Sequence, residues 1–218
     1  MRIAVIDLGI GNLRSVRQAL HAVAPNAQID ITDQASIIDD ADRIVLPGQG
    51  AIGTWFKSLH EKSLELAVKK ALTEKPVLGV CVGMQAMFSH SDEHGGQAGF
   101  DLFEGQVRHF SNFHDDSKQK LKIPQMGWNQ VQQTQPHALW HGIDDQSHFY
   151  FVHSYCANLA QNANQEVVQG EADYGHHFIA AVGRDNIFAV QFHPEKSHND
   201  GLRLLKNFTL WNPTHREH

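Results

Sequence analysis

Cysteine is scarce in this chain, with Cys81 and Cys156 alone among 218 residues, and two thiols cannot build a disulfide framework. A reducing cytoplasm is the expected home, where a free and reactive thiol is permissible. Basic residues are outnumbered, 18 against 24 acids, and gather in no run, so the net charge of −6 argues against a nucleic-acid groove or an anionic membrane as partner. Long apolar runs are missing as well. The opening Met1-Arg2-Ile3-Ala4-Val5-Ile6-Asp7 soon meets an acid, so it is expected to be a first core strand and neither a signal peptide nor a spanning helix. There is no internal repeat and no linker rich enough to divide the chain, and its length suits one α/β domain with a sizeable core. What remains is small-molecule chemistry.

Histidine, by contrast, is plentiful, with sixteen residues. Most sit singly in polar stretches (His21, His60, His109, His137), where a solvated surface role is expected. The first half alternates short apolar strands with helical patterns, the mark of βαβ units and a largely parallel sheet. Strands are expected at Ile3 to Ile6, Ile29 to Thr32, Ile44 to Leu46 and Val77 to Val80. Asn12 is placed to cap a helix whose apolar positions Leu13, Val16, Leu20 and Val23 share one face. A second helix runs through Leu64, Ala67, Val68, Ala71 and Leu72 and is stopped by Pro76. Beyond about Phe103 the pattern turns to shorter β pieces, such as Phe149 to Val152. Phe178 to Val182 and Ile187 to Phe192 form a hairpin across Gly183-Arg184-Asp185-Asn186. Asn112 to Lys122 reads as a mobile polar loop, Leu202, Leu205 and Phe208 as a closing helix, and Asn212 to His218 as a loose tail.

The chemistry concentrates at Val77-Leu78-Gly79-Val80-Cys81-Val82-Gly83-Met84-Gln85, where a cysteine stands between two glycines at the junction of an apolar run and a helical pattern (Met84, Met87, Phe88). This is the thiol counterpart of the G-x-S-x-G nucleophile elbow. The sharp turn projects the sulfur out of the sheet, leaves the Val82 amide facing an attacked carbonyl, and sets the sulfur at the positive end of a helix dipole. A buried packing cysteine is the plain alternative. The expected base is His193 in Gln191-Phe192-His193-Pro194-Glu195, since the i, i+2 spacing puts the imidazole and the Glu195 carboxylate on one side of an extended chain. Ser89-His90-Ser91-Asp92-Glu93-His94-Gly95-Gly96 could suggest a metal site, but without a matching ligand cluster it reads as a surface loop. Gly9-Ile10-Gly11 is no dinucleotide fingerprint, because position 14 is Arg.

Together these residues resemble the class I (triad) glutamine amidotransferases, and more narrowly the glutaminase subunits of imidazole glycerol phosphate synthase. The resemblance covers nearly the whole chain. It rests on Asp7-Leu8-Gly9-Ile10-Gly11-Asn12-Leu13, Leu46-Pro47-Gly48-Gln49-Gly50-Ala51, the elbow, Ile123-Pro124-Gln125-Met126-Gly127-Trp128-Asn129, Phe151-Val152-His153-Ser154-Tyr155 and Phe192-His193-Pro194-Glu195-Lys196-Ser197. It implies a glutamine amidotransferase domain over residues 1–211 with a tail at 212–218: a central, mostly parallel sheet flanked by helices, with a partly antiparallel second half. It further implies that Cys81, His193 and Glu195 hydrolyse glutamine to glutamate and ammonia without metal or cofactor. An oxyanion hole would come from Val82 and the Gln49-Gly50 loop, and Gln85, Glu93, Ser154 and Tyr155 would grip the substrate. For Gln85, Glu93 and Tyr155 a helix-surface amide, a solvated acid and simple packing stay open. Ammonia must pass to a (β/α)₈-barrel cyclase subunit in a heterodimer of the histidine pathway, with Asn12, Met126, Trp128, Tyr150 and Lys196 at the interface. A glutaminase serving pyridoxal phosphate synthesis, a catalytically idle regulatory module and a cysteine hydrolase of peptides are the competing readings. The family more often has Val where this chain has Gln49, and Cys156 matches no catalytic position.

Overall fold

The computed structural model describes residues 1–113 and 121–213. The first half runs β1 (Arg2–Ile6), α1 (Leu13–Val23), β2 (Gln28–Thr32), α2 (Ala35–Asp40), β3 (Arg43–Leu46), α3 (Ile52–Glu61), α4 (Glu65–Glu74) and β4 (Val77–Val80), with β1, α1, β2, β3, α4 and β4 where the apolar pattern places them. Asn12 caps α1 by accepting from Ser15 N at 3.2 Å. The helices α2 and α3 had no expectation attached to them; α2 is only six residues long and α3 rises directly from the Pro47-Gly48-Gln49-Gly50 loop. After β4 come α5 (Val82–Gln85), β5 (Phe88–Ser91), β6 (Gln97–Ala98), β7 (Phe103–His109), β8 (Gln125–Gln130), β9 (Gln132–Gln133), β10 (His148–His153), β11 (Tyr155–Leu159), β12 (Val168–Asp173), β13 (His177–Arg184), β14 (Ile187–Val190) and α6 (His198–Leu210).

The sheet is mixed, as expected. Strands β2, β1, β3, β4 and β14 lie side by side and all parallel. Beyond them β13, β11 and β7 continue antiparallel, and β5 pairs β7 in parallel. The hairpin β13–β14 turns over Asp185 and Asn186, as its turn residues indicate. Every residue of β3, β4 and β14 is buried, which is why these strands, Arg43 at the head of β3 apart, read as unbroken apolar runs. One pairing positions the site. Val190 stands opposite Val80, so the next residues, Gln191 and Cys81, leave the carboxyl ends of two neighbouring parallel strands together. The crevice beyond such ends is where α/β sheets hold ligands.

Outside this sheet, β8 and β10 form a separate antiparallel ribbon in which Trp128 faces Tyr150, Met126 faces Val152 and Gln125 faces His153. Its strands alternate strictly: Gln125, Phe149, Phe151 and His153 are buried, whereas Met126 and Trp128 are exposed. Three expectations need correction. The helical pattern after Cys81 stops at Gln85, and Phe88 opens a strand; the amides of Phe100 and Leu102 reach the carbonyls of Ala86 and Met87 at 2.7 and 2.9 Å, so the chain that follows takes the acceptors a longer helix would have used. The supposed surface loop at Ser89 to Gly96 supplies strand β5, with Ser91 buried. His137 is not a solvated surface histidine, because it packs between Phe188 and Trp211 with ring centroids at 4.6 and 5.2 Å. Most of the expected polar loop, residues 114–120, lies outside the described residues, as do 214–218 of the tail. Asn212 itself is tied down, its Oδ1 accepting from Arg43 Nη2 at 3.0 Å. Among the described residues no helix is long and apolar enough to cross a membrane.

Candidate active site

Cys81 sits at the end of β4 with φ +54° and ψ −110°, a conformation that a residue with a side chain holds only where its surroundings enforce it. The enforcement is steric. A Cβ on Gly83 would lie 1.9 Å from the Leu46 carbonyl oxygen, so only glycine lets the turn press against β3. On the other side, a Cβ on Gly48 would meet Val82 Cβ at 2.7 Å, which brings the Gly48-Gln49-Gly50 loop directly against the residue after the nucleophile. Trp55 Nε1, on α3, donates to the Pro47 carbonyl at 3.0 Å and pins that loop from below.

His193 and Glu195 occupy the turn after β14. His193 Nδ1 lies 2.8 Å from Glu195 Oε1, and the two side chains are only 5% and 4% exposed, so the pair is a buried one and not a surface contact. The turn is stapled to β10: His193 N donates to the Tyr150 carbonyl at 2.9 Å, Ser197 Oγ donates to the His193 carbonyl at 2.6 Å, and Tyr150 N donates to Ser197 Oγ at 3.0 Å. Burial alone would keep the imidazole neutral. Cys81 and the Glu195 carboxylate outweigh it and raise His193 to about 10, favouring an imidazolium. His193 Nε2 is buried and makes no hydrogen bond in this geometry, so we ascribe the influence of Cys81 to charge at close range and not to a formed bond.

The sulfur opens on a cleft of about 430 Å³ whose lining includes Gln49, Gly50, Val82, Gln85, Glu93, Ser154 and Tyr155. The structure therefore gathers Cys81 and every expected oxyanion and substrate residue around one cavity, with the His193–Glu195 pair buried outside its lining. Details differ from the simple picture. One Glu93 oxygen accepts from Ile52 N at 2.8 Å and so caps α3, leaving the carboxylate fixed at the rim. The Tyr155 carbonyl is occupied from within, by His153 Nδ1 at 2.7 Å and Gln85 Nε2 at 3.3 Å. Burial pushes His153 down to about 4, so its ring is neutral. Because α5 is a single turn, a helix dipole can contribute little at the sulfur; the unpaired first N–H groups of that turn are the relevant donors. Among the described residues no cluster of His, Cys, Asp and Glu could hold a metal ion.

Of the residues expected at an interface, Met126 and Trp128 are 64% and 45% exposed, and Trp128 meets Tyr150 edge-on at 6.0 Å. Lys196 Nζ lies 5.7 Å from the Tyr150 ring centroid, and α1, headed by the exposed Asn12, packs against the turn that carries Lys196. His198, absent from the expectations, stacks on Trp128 at 4.7 Å. Also absent was Gln191, which is wholly buried and donates from Nε2 to Cys81 Sγ at 3.5 Å. Its signal was a polar residue ending an apolar strand, on the side that His193 also faces.

A cysteine on a strained elbow, backed by a buried His–Glu pair at the carboxyl edge of a parallel sheet, defines a triad thiol enzyme. The family model for class-I glutamine amidotransferases matches residues 4–211, and the chain belongs to that family. Within it, the imidazole glycerol phosphate synthase subunit HisH of Dechloromonas aromatica (strain RCB) is 51% identical over 97% of each chain. The subunit of the same name from Thiobacillus denitrificans (strain ATCC 25259 / T1) is 47% identical over 97% of this chain and 92% of its own. A crystal structure of a glutamine amidotransferase superposes with a TM-score of 0.65 at 19% identity, covering 95% of this chain and 97% of that one, a likeness of fold.

Proposed function

We propose that the chain is the glutaminase subunit of imidazole glycerol phosphate synthase, hydrolysing glutamine and delivering the ammonia to a cyclase partner in histidine biosynthesis. The observation that carries the reading is the buried His193–Glu195 pair behind Cys81 at the floor of a cleft sized for an amino acid. His193 takes the thiol proton, and the Cys81 thiolate adds to the side-chain carboxamide carbon of glutamine. Val82 and Gly50 present backbone N–H groups to the resulting oxyanion, each such donor being worth about 3 kcal/mol of barrier. Collapse breaks the C–N bond, with the imidazolium protonating the departing nitrogen. Water, deprotonated by His193, then hydrolyses the glutamyl thioester and returns the thiolate. The nucleophile, the base and the charge stabilisation all come from the chain, so the chemistry calls for no metal or cofactor. Gln85, Glu93, Ser154 and Tyr155 surround the substrate.

Free ammonia would be diluted and protonated in water, so the acceptor site must be docked to this one. The exposed Met126–Trp128–Tyr150 face, with Lys196 and Asn12 beside it, suits the (β/α)₈-barrel cyclase subunit in a cytoplasmic heterodimer. Residues 1–211 act as one domain. The test is ammonia release from glutamine by the chain with that cyclase and its nucleotide ligand. Release is expected, with none from Cys81→Ala, and a glutamine-like diazo-ketone should label Cys81. No release and no adduct would overturn the proposal.

A further inference from the structure

We propose that Gln191 is a catalytic residue in its own right, a neutral hydrogen-bond donor held against the Cys81 sulfur so that the thiolate is stabilised before substrate arrives. The argument rests on the direction of a chain of hydrogen bonds. A side-chain amide can be turned end for end, so its donor and acceptor must be assigned from a partner whose role is fixed. Here that partner is the Tyr155 backbone carbonyl, which can only accept. It takes His153 Nδ1–H at 2.7 Å and Gln85 Nε2–H at 3.3 Å, one for each lone pair. Gln85 must therefore direct its nitrogen inward, and the same NH₂ donates to Gln191 Oε1 at 3.0 Å. With its oxygen committed, Gln191 has only its NH₂ to offer the sulfur, which lies 3.5 Å away. A flipped Gln191 would set two NH₂ groups against each other.

A thiol is a weak acceptor and a thiolate a strong, charged one, so a fixed donor favours the ionised form. Gln191 is 0% exposed, so its amide is held out of solvent. The helix dipole offers little, because α5 has only four residues, and His193 Nε2 makes no formed bond to the sulfur. Gln191 is thus the one side chain among the described residues with a direct hydrogen bond to Sγ. The titratable groups around the sulfur are His193 with Glu195 behind it, and Glu93, His94, His153 and Tyr155 along the cleft; all remain when Gln191 is changed.

The test does not depend on glutamine being the substrate. Alkylation of the purified chain by iodoacetamide is followed from pH 5 to 10, with the modified residue located by mass spectrometry. Cys156 is buried and its thiol is pushed up to about 12, so the profile reports Cys81. The near-isosteric Gln191→Met should move the midpoint of the profile upward by about one unit and slow alkylation about tenfold at pH values below the parent midpoint, as expected for losing a bond to a charged group. Gln191→Glu, which sets an acceptor against the sulfur, should move it further. Gln85→Leu, which leaves Gln191 in place but removes its orienting group, should shift it less and in the same direction. A changed rate with an unchanged midpoint, or no change in folded Gln191→Met, would overturn the proposal. Should the variants not fold, ¹⁵N-labelled side-chain amides of the unaltered protein decide it: a buried glutamine NH₂ pair must shift with the alkylation midpoint, and its failure to do so is equally fatal. This inference rests on geometry and not on the proposed function: absence of glutaminase activity from the unaltered chain with its cyclase, with the shift intact, would sink that function and leave this inference standing.

Discussion

His153 shows how a residue that never meets the reacting atoms can govern the conditions under which the site survives. It is buried, it hydrogen-bonds to the Tyr155 carbonyl, and its other ring nitrogen faces the Gln125 amide at 3.0 Å. Desolvation lowers it to about 4, with His193 adding charge repulsion. Between about pH 6.5 and 4 the unfolded chain therefore binds a proton at His153 that the folded chain does not, so stability rises with pH across that window and falls on acidification. The shift corresponds to a loss on the order of 3 kcal/mol by pH 4. His137, pushed down to about 4 by burial, acts in the same direction. Urea unfolding at pH 7, 6, 5 and 4 checks this: His153→Asn should start less stable but lose less on acidification. An equal slope in variant and parent would refute the assignment. Because the His153 bond also holds the carbonyl that orients Gln85, acid should weaken the cleft before the fold as a whole.

At the scale of elements, the elbow depends on three close approaches: α5 against β3 through Gly83, the Gly48 loop against Val82, and Trp55 under Pro47. Gly83→Ala would force a methyl into the Leu46 carbonyl, and overpacking of this kind typically costs about 1–3 kcal/mol. A drop of that size in urea-unfolding free energy, with loss of iodoacetamide reactivity at Cys81, is the expected result; an unaffected thiol would mean the turn tolerates displacement. Trp55→Phe removes one hydrogen bond, worth about 1 kcal/mol, and should lower glutamine turnover in the complex by more than that stability loss explains, since it frees the oxyanion loop. The strands β1 to β4, β10, β13 and β14 and the helices α1, α4 and α6 were legible because burial imposes apolar runs or a period of 2 or 3.6 on their side chains. The short helix α5 was not, since nothing local marks where Phe100 and Leu102 will claim the carbonyls of Ala86 and Met87. Cys81, His193 and Glu195 could be singled out because nucleophile elbows and H-P-E turns carry their own spacing. Trp55 and the Glu93 cap could not, and Gln191 showed only as a polar residue ending an apolar strand, because each acts through a partner distant in sequence, which only the fold brings near.

For the molecule as a whole, the ribbon β8–β10 joins the proposed docking face to the cleft through its alternation. Its outer face shows Met126, Trp128 and Tyr150, while its inner face sets Gln125 against His153, one bond from the Tyr155 carbonyl and two from Gln85. A partner on the outer face, as proposed above, would therefore bear on a strand pair whose inner side is wired into the cleft. Trp128 is stacked by His198 and flanked by Tyr150 and Lys196, which presents a rigid aromatic anchor. Trp128→Ala should weaken association with the cyclase by about 2 kcal/mol, roughly thirtyfold in Kd, with the stability of the isolated chain almost unaltered. The Gln49-Gly50 lip lies exposed on the other side of the sulfur, and the backbone at Gly50 takes φ +90°. A lip with that freedom lets the oxyanion amide be set by the partner, so the isolated chain is expected to turn over glutamine at a small fraction of the rate of the complex, while Cys81 remains open to alkylation in both. Measuring both on the same samples separates the steps. Equal turnover with and without the cyclase would show that the oxyanion donors are already in place, and alkylation that appears only in the complex would move the point of control from the lip to the thiol.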